Sequence, residues 1–180
     1  MLERVLLKNC SPAMAGIKPS NLVSCYKNEI LNAKDQIDEL NERLNKKDIY
    51  IDVICECQNR LLLIVYRKRN LIDQLKRPEI SEFLEKYGYD TNGTLNDYLD
   101  VLRSHLNGPD FPHEIGAFLG YPIKDIYGFI NGKKCLYIGA WKVYDDVEGA
   151  QRTFCRYKIC TQVAKQRVAM GQSLEQVFCA

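Results

Sequence analysis

The stretch Asp48–Arg67 reads DIYIDVICECQNRLLLIVYR. Its first half alternates. Ile51, Val53, Cys55 and Cys57 fall on one face and Asp52 and Glu56 on the other, the pattern of a strand with one buried side. Gln58-Asn59 supplies a turn. RLLLIVY (Arg60–Tyr66) then runs almost without a polar residue, as expected of a strand in the middle of a sheet. The pair predicts a β-hairpin and so rules out an all-helical fold.

Outward from this hairpin the chain alternates between periods. Upstream, Ile30, Ala33, Ile37, Leu40 and Leu44 recur at helical spacing, which predicts an amphipathic helix over Asn28–Lys46. NLVSCY (Asn21–Tyr26) reads as a strand, Leu2–Lys8 as a short helix, and Ser11-Pro12 as the start of one helical turn, with serine capping. Downstream, three helices are expected. Asn70 caps the first; Pro78 ends it and opens the second, which stops before Gly88. Thr94 caps the third, whose stripe is Leu95, Tyr98, Leu99, Leu102 and Leu106. Further helices follow at Ile123–Ile130, Val147–Met170 and from Ser173 to the end. CLYIGAWKVY (Cys135–Tyr144) reads as a fourth strand. These elements predict one α+β domain spanning 1–180, with a mixed sheet of about four strands packed with helices. Its first two strands are taken as parallel through the helical crossover.

Composition narrows the function classes. The 180 residues carry a formal net charge of +2, too small to call for nucleic acid, which is not an expected partner. No apolar run reaches the length of a bilayer span, so no membrane partner is expected. The opening MLERVLLKNC lacks a secretory signal, which points to the cytoplasm and to reduced thiols for the eight cysteines. No C-x-x-C pair is present, so no metal site is assigned. Phosphate-loop, dinucleotide, H-E-x-x-H and G-x-S-x-G signatures are also missing. The basic residues of the late helix (Arg152, Arg156, Lys158, Lys165 and Arg167) read as belonging to a solvated helix rather than to a nucleic-acid surface.

Candidate chemistry centres on FPHEIGAFLGYP (Phe111–Pro122). With Pro112 at the first helical position, Glu114 falls third and complements the helix dipole. Phe111, Ile115, Phe118 and Leu119 form an apolar stripe. His113, Gly116, Ala117 and Gly120 share a second face, bare except for the imidazole. Interior glycines cost about 1 kcal/mol each against alanine, so something approaches closely. Tight packing of another element is the commoner reading; a slot for a flat or anionic ligand is the functional one. Cys10 lies just before a helix start, where thiols acidify, and would pair with His113 as nucleophile and base. Against this, most cysteines are core residues. Lys18, and Lys142 beside Trp141 near Gly139, would hold a phosphate or carboxylate, or else snorkel at an edge. Cys55, Cys57, Cys155 and Cys160 read as structure.

Four blocks, CSPAMAGIKPSNL (Cys10–Leu22), LLLIVYR (Leu61–Arg67), FPHEIGAFLGYPIKDIYGFI (Phe111–Ile130) and GAWKVY (Gly139–Tyr144), resemble domain-of-unknown-function family 3793 of anaerobic Gram-positive bacteria. The resemblance implies no established activity. A loose association of that family with flavodoxin and iron-handling genes hints at redox metabolism. The expectation is therefore an uncharacterised cytoplasmic protein, its cofactor unspecified. It binds a small molecule or a redox cofactor such as flavin or haem, through catalytic-type residues Cys10, His113 and Glu114 and ligand contacts Lys18, Gly116, Gly120, Trp141 and Lys142. The alternatives are a thiol-dependent hydrolase or transferase using Cys10 and His113, and an interaction module that docks a protein partner without catalysis.

Overall fold

The computed structural model describes residues 1–30 and 32–178. The fold is α+β, as expected, and divides into two compact units, residues 1–71 with 160–180 and residues 72–159.

The first unit begins with helices α1 (Leu2–Asn9) and α2 (Ser11–Met14), then strand β1 (Ser20–Tyr26), helix α3 (Ala33–Leu44) and strands β2 (Ile49–Glu56) and β3 (Arg60–Arg67). The sheet order is β1-β3-β2, and both pairings are antiparallel. The continuous apolar run is thus the central strand. Its neighbours point the same way but never touch, because β3 lies between them. The sheet is therefore wholly antiparallel and three-stranded rather than mixed. One face buries Leu61, Leu63 and Val65 with Ile37, Leu40, Leu44 and Ile51. Ile64 and Tyr66, on the other face, are buried as well.

β2 departs from its expected alternation. A bulge between Val53 and Cys55 inserts Ile54, which is buried. Past the bulge the parity reverses. Cys55 pairs with Leu62, away from the face of Ile51, and Cys57 is exposed. The outer edge of β2 is closed by α3: the Asn41 side-chain amide accepts from Ile51 N–H (2.9 Å) and donates to Ile51 C=O (2.8 Å). That satisfies an edge that would otherwise present open backbone groups. α3 starts later than its periodicity suggests, and Leu31, inside the expected helix, lies outside the described residues.

Helix α4 (Lys68–Leu75) follows β3 directly, so Asn70 is helical rather than a cap; its amide instead donates to Gly16 C=O at 2.8 Å. The second unit continues with α5 (Pro78–Glu85), α6 (Leu95–Leu106), α7 (Ile115–Phe118), α8 (Ile123–Ile130), strands β4 (Tyr137–Ile138) and β5 (Lys142–Val143), and the first part of α9 (Val147–Ala169), whose residues from Cys160 onward belong to the first unit. α10 (Leu174–Phe178) closes the described chain, and the remainder of the expected last helix lies outside it. Pro78 and Thr94 open their helices as read, Thr94 with Asp97 in a reciprocal capping box. The expected fourth strand is instead a separate two-stranded hairpin. Gly139, at its bend, lies against Phe154, and a Cβ there would run into the ring. Only glycine lets the chain turn so close to that aromatic. Trp141 and Val143 then pack inward on Ala150 and Phe154.

Candidate functional site

The helix expected to open at Pro112 is only the four residues of α7, and Glu114 is its N-cap rather than its third position. The Glu114 side chain does not cap it. It is 2% exposed, and its Oε1 lies 2.5 Å from His105 Nδ1 and accepts a 3.4 Å hydrogen bond from the Tyr89 hydroxyl. The Tyr89 hydroxyl is held well above its usual range by burial and by the facing carboxylate. His105 projects from the last turn of α6, three residues after buried Leu102, and packs edge-on to Tyr89 at 5.7 Å. The imidazole that meets Glu114 is therefore His105, not its chain neighbour His113. The sequence signal was present, since His105 continues the stripe of Tyr98 and Leu102.

His113 is exposed and stands edge-on against Phe129, with ring centroids 5.1 Å apart. Lys142 approaches the same ring, its Nζ 5.2 Å from the centroid. Two of the expected site residues thus share one aromatic neighbour. Gly116 is packed: a Cβ there would meet Ile126 at 3.1 Å and the Tyr121 ring at 3.2 Å. The close approach inferred from the glycine is tight packing by the chain's own side chains. Gly120 has φ of 70° and turns the chain after α7, with Tyr121 N–H donating to Gly116 C=O at 2.9 Å. Trp141 is buried. Its indole N–H donates to Asp125 at 2.7 Å, and its ring stacks on Tyr121 at 5.1 Å. Asp125 also accepts from the backbone N–H groups of Tyr144 (2.7 Å) and Asp145 (3.2 Å), which ties α8 to the end of the hairpin.

Gly120 and Tyr121 open onto a cleft of about 300 Å³. Gln74, Arg77, Glu79 and Ile80 line one side, and Gly120 to Lys124 the other. Gln74 is buried and donates from Nε2 to Ala117 C=O at 3.2 Å, while its carbonyl oxygen accepts no hydrogen bond among the described residues. α5 starts at one wall and α8 at the other. The backbone N–H groups of Glu79, Ile123 and Lys124 belong to first helical turns, which have no intrahelical acceptor. The two cations are held by exposed carboxylates, Arg77 by Glu79 and Lys124 by Asp145, each at 2.8 Å. Such surface pairs are worth at most about 1 kcal/mol and open readily to a competing anion.

In the first unit, Cys10 is wholly buried, and burial pushes its thiol up to about 12, outweighing the opposing pull of Lys18. That opposes the thiolate a nucleophile needs. Lys18 is buried too, and loss of hydration pulls its ammonium down to about 8. Ser11, expected to cap α2, is itself helical and donates from Oγ to Leu7 C=O at 2.5 Å; Cys10 is the N-cap. Cys10 and Lys18 belong to one unit, and His113, Trp141 and Lys142 to the other. Among the described residues no group of three or more His, Cys, Asp or Glu side chains is arranged to hold a metal. No helix among them is long and apolar enough to cross a membrane.

The family described as "Protein of unknown function (DUF3793)" matches residues 6–178. No curated protein and no solved structure matches the chain.

Proposed function

The chain belongs to the DUF3793 family of proteins of unknown function, and from that premise we propose that it binds a small phosphorylated or carboxylated metabolite in the cleft between α5 and α8. One observation carries the reading: two helix N-termini and the side chains of Arg77 and Lys124 converge on a single cavity next to Gly120. Free N–H groups and the positive end of a helix favour an anion, and two cations add charge that the ligand can take from Glu79 and Asp145. The unengaged carbonyl of Gln74 offers an acceptor to a ligand hydroxyl. A volume of about 300 Å³ lies at the small end for ligand sites, which favours a compact anion over a flavin or haem. The buried, weakly acidic Cys10 supports binding over thiol catalysis.

Inorganic phosphate and glycerol phosphate are the first probes. Each is expected to raise the thermal midpoint above that in chloride of equal ionic strength, by linkage of binding to folding. The Arg77→Gln, Lys124→Gln double variant is expected to lose the increment. An equal increment in that variant, or none in the wild type, would sink the proposal.

A further inference from the structure

The segment Ile126–Val143 contains no Asp or Glu. It carries Lys133, Lys134 and Lys142, all exposed, and none of the three has an ion-pair partner among the described residues. Between these lysines the chain presents its most exposed apolar side chains of this unit, Ile138 at 70% and Leu136 at 58%, with Phe129 at 44% beneath Lys142. The carboxylates that flank the segment in sequence make their contacts elsewhere. Asp125 is taken up by Trp141, Tyr144 and Asp145; Asp145 pairs with Lys124, and Asp146 accepts from Gly149 N–H.

We propose that the β4–β5 hairpin docks the protein on an anionic lipid surface, with Leu136 and Ile138 entering the headgroup layer and Lys133, Lys134 and Lys142 meeting lipid phosphates. Charge complementarity selects this occupant. Protein interfaces are depleted of lysine, whereas a negatively charged leaflet rewards each lysine brought close to it. Strand addition is a poor alternative use, because β4 and β5 are two residues long and offer almost no edge. Gly139 pressed on Phe154 and Trp141 packed beneath hold the hairpin in place, so little ordering accompanies docking. The inference is independent of the metabolite cleft, since none of these residues lines it.

Co-sedimentation with vesicles tests it. Retention is expected on phosphatidylglycerol mixed with phosphatidylcholine and not on phosphatidylcholine alone, falling as salt rises. Lys133→Gln and Lys134→Gln should each weaken retention about fivefold. Leu136→Asp with Ile138→Asp should abolish it, with an unchanged circular dichroism spectrum; Leu136→Ser with Ile138→Ser serves if the first pair fails to fold. Equal retention of the variants, or no retention of the wild type on anionic vesicles, would overturn the proposal. So would a wild type that ignores vesicles but self-associates through these residues in sedimentation velocity.

Discussion

In the first unit, the Cys10 thiol and the Lys18 ammonium are buried where lost hydration works against the charged form of each. In the second, Asp125 and Glu114 are just as buried, but polar groups are aimed at their oxygens: three N–H groups at Asp125, and an imidazole nitrogen and a tyrosine hydroxyl at Glu114. The difference shows what burial alone does and does not do. Where loss of hydration dominates, as at Cys10 and Lys18, the group shifts toward neutrality, whereas a buried side chain with several donors aimed at it becomes a structural junction that joins elements distant in sequence. Reactivity inferred from residue type fails in the first setting, and stability inferred from polarity fails in the second.

The sharpest way to break this contrast is Asp125→Ala. It strands the buried Trp141 indole and leaves the part-buried N–H groups of Tyr144 and Asp145 without their acceptor, and should cost about 3 kcal/mol in urea unfolding. A cost near zero would mean that water satisfies those donors and that the junction is incidental.

The pH dependence of stability tests the other side, with an effect on the order of 2 kcal/mol. Lys18 binds its proton less tightly folded than unfolded, so its contribution makes stability rise as pH climbs from about 8 toward the ordinary value of 10.5. Cys10 has the opposite sign: the unfolded chain loses that proton from about 9, the folded one only near 12, so stability falls across that interval. A rise from pH 8 to 9 that then flattens is expected. Lys18→Met should remove the rise, and Cys10→Ala should extend it. A monotonic fall from pH 8 in the wild type would contradict the burial argument.

Smallest is Glu114→Gln, which keeps the shape but weakens the contact to His105. It should cost about 1 kcal/mol and change the His105 ring resonances in NMR. Unaltered His105 resonances would show that the short contact to Glu114 is not formed in solution.

Much of the local structure was legible beforehand because its causes are local. The apolar run of β3 marks it as central, Thr94 and Asp97 announce a capping box three residues apart, and Pro78, which a helix interior does not tolerate, falls at a helix boundary. The α7 region misled because Pro112 is permissive for a helix start without compelling one there. Gly116 correctly signalled a close approach, but sequence did not say by what; Ile126 and Tyr121 take the space a ligand would have needed. The bulge at Ile54 left no mark in the alternation, since Ile, Cys and Val are all acceptable on a buried face.

By itself, then, the sequence determined the α+β class, the β2–β3 hairpin, most helix starts and the family. Each follows from side chains within a few residues of one another or from an ordered string of letters. Only the tertiary structure decided that Glu114 meets His105 rather than His113, that Trp141 is held by Asp125, and that Cys10 is sealed from solvent. Those outcomes depend on which distant segments share the same space, and hydration and hydrogen-bond supply, which set the chemistry of an ionisable group, are properties of that space.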